Sequence, residues 1–92
     1  MAGNQPYARI IREEELVAKR IDKAIKRVSR LGEMYDGIKW WLARNPLSGT
    51  KVSDSDHYIY KSYSWKPGGV PSITVLYKFD DDYIYIVRSR ID

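Results

Sequence analysis

His57, Lys61, Tyr63, Lys78, Arg88 and Arg90 are side chains of the types that handle a phosphate ester. Imidazole exchanges protons near neutral pH, ammonium and guanidinium groups hold phosphate oxygens as charge develops, and a phenol serves as a proton donor. His57, Ile59, Lys61, Tyr63 and Trp65 occupy alternate positions of HYIYKSYSW, so as a strand they project from one face. Arg88 and Arg90 share a parity in IVRSR. If the two faces coincide, one surface carries an imidazole, an ammonium, two guanidinium groups and stacking aromatics, a set suited to single-stranded RNA. Arginines on a last strand also protect an edge from pairing, which is the plain structural alternative for Arg88 and Arg90.

The 92 residues contain no cysteine, which removes disulfides, thiolate metal ligands and thiol nucleophiles. Three adjacent carboxylates, Asp80 to Asp82, diverge on a tight turn, and no further ligand stands at metal spacing, so neither a metal nor a cofactor is expected. No apolar run approaches the roughly 20 residues of a membrane span, and the start MAGNQPYAR lacks the apolar core of a signal peptide. A soluble cytoplasmic protein without a membrane partner is expected. The formal charge of +4 fits a polyanionic partner.

The elements that must position these groups follow from periodicity. In Ser72 to Arg90, Ile73, Val75, Tyr77 and Phe79 alternate with Thr74, Leu76 and Lys78, and the aspartates connect this arm to a second. There Tyr83, Tyr85, Val87 and Ser89 fall on one side, and Ile84, Ile86, Arg88 and Arg90 on the other. This is an antiparallel hairpin, and His57 to Trp65 supplies a third strand, reached by the loop Lys66 to Ser72. Upstream, residues 1–6 read as a loose terminus, and Tyr7 to Arg12 fit either a helical period, with Tyr7, Ile10, Ile11 and Val17, or, in preference, a short edge strand.

From Glu13, the residues Val17, Ile21, Ala24, Ile25, Val28 and Leu31 form one helical stripe that Gly32 stops. Lys19, Arg20, Lys23, Lys26, Arg27 and Arg30 lie off the stripe and read as a solvated face in preference to a phosphate-binding one. A second helix runs from about Glu33 to Arg44, with Trp41 in a core role, and ends at Asn45-Pro46. The whole predicts one α+β domain over residues 1–92: two antiparallel helices packed on one face of a small, curved, mainly antiparallel sheet.

Two segments, GIKWWLARNPLSGTKV at 37–52 and ITVLYKFDDDYIYIVRSRI at 73–91, resemble the RelE/ParE toxin superfamily of bacterial toxin–antitoxin systems. The resemblance implies a toxin neutralised by a small antitoxin protein. In its ribonuclease branch, the open sheet face binds messenger RNA on the ribosome and the RNA's 2′-hydroxyl attacks the adjacent phosphate without a metal. Carried onto this chain, His57, Lys61, Tyr63 and Arg88 become the catalytic candidates, and Lys61, Trp65, Lys78, Arg88 and Arg90 the nucleic-acid ligands. The chain departs from that branch at Thr74, where its strand reading "Y-R-V-L-Y" places an arginine, and in ending at Asp92 without a catalytic tail. Both departures fit the alternative, a non-catalytic protein of the same fold that acts by binding, as the DNA gyrase inhibitors do.

Overall fold

The computed structural model describes residues 8–28, 30–62 and 72–91. The start at residues 1–6, Tyr63, Trp65 and the connection from Lys66 to Pro71 lie outside them.

Strand β1 (Ile10–Glu13) is followed by helices α1 (Glu15–Ile25) and α2 (Leu31–Arg44), a single 3-10 turn (Pro46–Ser48), and strands β2 (Thr50–Lys51), β3 (Tyr58–Lys61), β4 (Ile73–Phe79) and β5 (Tyr83–Ile91). They form one five-stranded sheet of order β1-β5-β4-β3-β2. The β1–β5 pair is parallel and the others antiparallel. The α+β class, with two helices and a mainly antiparallel sheet, is as expected.

The alternation in β4 buries Ile73, Val75 and Tyr77, and these pack with Val17 and Ile21 of α1 and Leu31, Tyr35, Ile38 and Leu42 of α2. Both helices therefore cover the same face of the sheet. Tyr77 is the largest of the fully buried side chains. Its hydroxyl donates to Pro46 O at 2.6 Å and accepts from Gly49 N at 3.0 Å, which pins the 3-10 turn to the central strand.

Several boundaries differ from the expected ones. Glu13 ends β1 instead of opening a helix, because its carboxylate accepts the Tyr35 hydroxyl at 2.6 Å and lies 3.5 Å from Lys39 Nζ. The first helix stops at Ile25, well short of Leu31, and Leu31 begins α2. Gly32 thus lies inside α2 and stops nothing; Val28, in the intervening turn, still packs on the core, which preserves the three-to-four spacing across a change of direction. Trp41 is 43% exposed, its indole N–H donating to Ser48 Oγ at 2.8 Å, while its neighbour Leu42 is fully buried. The core role falls to Leu42. β3 is shorter than His57 to Trp65 in its described part, and β2, a two-residue edge, was not expected.

The acidic connection is built on one residue. Asp80 Oδ1 accepts the N–H groups of Asp82 and Tyr83, both at 2.8 Å, and Oδ2 accepts the Tyr85 hydroxyl at 2.9 Å. These hydrogen bonds favour the carboxylate and hold the Asp80 pKa below its ordinary value.

Burial raises the pKa of Tyr35, with help from its hydrogen bond to Glu13, and burial also raises that of Tyr77 against the opposing Gly49 N–H. Above about pH 10 an unfolded tyrosine loses its proton while these two keep theirs, so the unfolded state binds fewer protons and stability must fall as pH rises. Each contributes a slope of about −1.4 kcal/mol per pH unit between its unfolded and folded pKa. Urea midpoints measured from pH 8 to 11 are expected to be level and then drop beyond pH 10, with a shallower drop in Tyr35→Phe. A level profile to pH 11 would contradict this.

Candidate nucleic-acid interface

The face of the sheet away from the helices is set by register. Across β3, β4 and β5, Lys61 pairs with Thr74 and Thr74 with Arg90; one row along, Ile59 pairs with Leu76 and Leu76 with Arg88. Neighbouring strands lie about 4.8 Å apart, so Lys61 and Arg90 stand roughly 10 Å apart at the backbone.

Strict alternation would have put Arg88 and Arg90 on the same side as Ile84 and Ile86, which are buried against the helices. The strand avoids this with a bulge. Leu76 pairs with Arg88 and Tyr77 with Ile86, so Val87 is an extra residue with no opposite number. Beyond it the parity reverses: Ser89 turns inward with Ile84 and Ile86, while Arg88 and Arg90 turn outward with Tyr83 and Tyr85. Lys61, Arg88 and Arg90 consequently share the open face.

His57 immediately precedes β3, on the same parity as Ile59 and Lys61. Its Nδ1 lies 3.0 Å from Asp56 Oδ1, which directs Nε2 away from the pair. It lines a recess with Lys78, Tyr85, Glu14, Asp56 and Asp80. This end of the face carries both signs of charge, whereas the end at Lys61, Arg88 and Arg90 is basic. Lys78 is engaged there, its Nζ 5.8 Å above the Tyr85 ring, and Arg12 covers Tyr83 at 4.7 Å. With cations already on their faces and the Tyr85 hydroxyl held by Asp80, these tyrosines brace the sheet. Tyr58 and Tyr60 lie on the opposite, helix-covered side, where Tyr58 stacks on Tyr77 at 5.7 Å.

Of the residues singled out by sequence, the structure therefore brings Lys61, Arg88 and Arg90 together, places His57 and Lys78 at the adjoining end, and leaves Tyr63 and Trp65 outside the described residues. It also adds one that sequence reasoning assigned to solvent. Arg20, on α1, lines a groove of about 590 Å³ with Ile59, Thr74, Leu76, Arg88 and Arg90. Nothing in the pattern distinguished Arg20 from the other basic residues of its helix, because its reach to the sheet depends on α1 lying beside the part of β5 beyond the end of β1.

Among the described residues no cluster of three or more acids or histidines forms a metal site, and no helix is long and apolar enough to cross a membrane. No family model matches the chain, and neither a curated protein nor a solved structure matches it significantly.

Proposed function

We propose that the protein is a RelE/ParE-like toxin that binds messenger RNA on the open face of its sheet and cleaves it as a metal-independent endoribonuclease in translating ribosomes, with a small antitoxin protein as its partner. The observation that supports this most is the bulge at Val87, which turns two arginines out of the core side and onto the face that holds Lys61.

The face offers a place for the reacting phosphate above Ile59 and Leu76, whose apolar side chains lie between the charged groups. His57 and Lys61 each stand two residues from Ile59, about 7 Å in opposite directions along the strand, and Arg88 faces Leu76. In-line attack by a 2′-hydroxyl needs a proton acceptor on one side of phosphorus and a cation or acid on the other. His57 Nε2 accepts the hydroxyl proton while Asp56 holds Nδ1, as an orienting carboxylate does for other imidazole bases. Arg88 and Arg90 hold the non-bridging oxygens, and Lys61 stabilises the departing 5′-oxygen. Tyr63 is the second candidate for proton exchange.

The alternative, a non-catalytic member acting on DNA gyrase, draws support from Thr74, which sits between Lys61 and Arg90 and brings a hydroxyl but no charge. Induced expression separates the two readings. Growth arrest with messages cut inside translated regions is expected; arrest with intact messages and blocked replication assigns the protein to the alternative, and normal growth sinks both.

A further inference from the structure

We propose that the groove between α1 and the outer half of β4 and β5 is a phosphate-binding site, in which Arg20 and Arg88 grip one phosphodiester of a single-stranded RNA. This deepens the RNA-binding reading and rests on it for the identity of the ligand.

The first ground is charge. Arg20, Arg88 and Arg90 come from two elements to the rim of one groove of about 590 Å³, and among the described residues no carboxylate lines it. Among the described residues, Arg20 and Arg88 make no ion pair, although Glu14 and Glu15 stand close by on the far side of Arg20. Like charges gathered on a concave surface repel one another, and an anion bound between them removes that repulsion. A guanidinium presents paired N–H donors that match phosphate oxygens.

The second ground is hydrogen bonding. Thr74 places a hydroxyl on the groove floor, on the same face as Arg88 and Arg90. The Thr74 hydroxyl and two guanidinium groups form the donor set of a phosphate cradle.

The third ground is the boundary. The neighbouring recess, between the start of α1 and β5, is lined by Glu14 and Glu15 beside Arg20, so a polyanion passing Arg20 meets carboxylates. The acids confine the strand to the sheet side of α1. Arg20 thereby sets where the RNA leaves the open face, a specificity role that the strand residues alone do not fill.

The test separates the site from its ligand. In the first arm, inorganic phosphate is titrated into the full chain while the arginine Nε–Hε resonances are followed by NMR. Arg20 and Arg88 are expected to shift together along a single binding curve, and the Arg88 shift is expected to vanish in Arg20→Ala. In the second arm, binding of a short single-stranded RNA without terminal phosphates is measured over a range of salt. Arg20→Ala is expected to weaken it about tenfold and to lower the slope of log K against log salt by about 0.7, the value for one lost phosphate on a single strand. Arg20→Lys is expected to restore part of the affinity, and Lys23→Ala, on the same helix, to leave both quantities unchanged. RNA affinity and salt slope untouched by Arg20→Ala but reduced by Arg88→Ala would overturn the proposal and leave the RNA reading standing. Joint phosphate shifts without any RNA binding would overturn the RNA reading and the phosphodiester assignment with it. Preference for 5′-phosphorylated RNA alone would likewise overturn the assignment to an internal phosphodiester.

Discussion

Gly49→Ala is expected to destabilise the fold by about 2–4 kcal/mol, the sum of forced repacking and a damaged buried hydrogen bond. Gly49 has an extended backbone, φ −78° and ψ 170°, so its need for glycine is one of space and not of conformation. A Cβ built there would lie 2.6 Å from the Tyr77 hydroxyl oxygen, 2.8 Å from Ile59 O and 3.0 Å from Tyr77 Cε1. The Tyr77 ring has little room to retreat, since it is fully buried and stacked on Tyr58. The carbonyl of Ile59 belongs to β3, which pairs with both β2 and β4. Moving the Tyr77 hydroxyl breaks the hydrogen bonds from Gly49 N to Tyr77 and from Tyr77 to Pro46, and moving the Ile59 carbonyl disturbs the pairing of β3. Urea denaturation of the two single variants and the double variant with Tyr77→Phe checks this. Removing the hydroxyl relieves the shortest clash, so Gly49→Ala should cost at least about 1 kcal/mol less in the Tyr77→Phe background. Additive costs would contradict the geometry.

Gly49 also shows what a sequence conveys. Ser48-Gly49 is readable as turn chemistry after Pro46, and a turn is there. That a tyrosine 28 positions later arrives against it depends on how β4 lies under the turn, which no local pattern encodes. The hairpin was legible for the opposite reason: alternation in Ile73 to Phe79 and a triplet unable to continue a strand are both local. Asp80 as the acceptor that closes the turn is a local effect too.

The candidate site was legible residue by residue but not as an assembly. Lys61, Arg88 and Arg90 were identifiable as cations on strands, while their common face hung on Val87. A bulge adds one residue to one strand, and valine is as good a strand former as its neighbours, so the sequence reads straight through it. The only trace is a conflict: continuing the parity of Ile84 and Ile86 would bury Arg88 and Arg90. Burying unpaired guanidinium groups costs more than a local kink, so the strand kinks. Arg20 lacked even that trace. Helix period separates covered from uncovered faces, but it does not say that an uncovered residue will reach over the edge of a sheet.

The same assembly makes the second large effect specific. With His57 as the base and the cations as phosphate ligands, His57→Gln is expected to lower the rate of RNA cleavage by about 10²–10⁴ while leaving RNA affinity within about twofold. Glutamine keeps a polar side chain beside Asp56 and lacks a nitrogen that can take a proton from the 2′-hydroxyl. His57 is only partly exposed, on the open face and outside the core cluster, so the exchange should leave the thermal midpoint near its original value. Arg88→Ala is expected to behave differently, losing affinity and rate together, because a guanidinium on the non-bridging oxygens acts on charge present in both the ground state and the transition state. Single-turnover cleavage and equilibrium binding on the same RNA distinguish the two patterns. Loss of affinity in His57→Gln would make His57 a ligand and not a base, and unchanged cleavage would remove it from the chemistry and leave proton exchange to Tyr63.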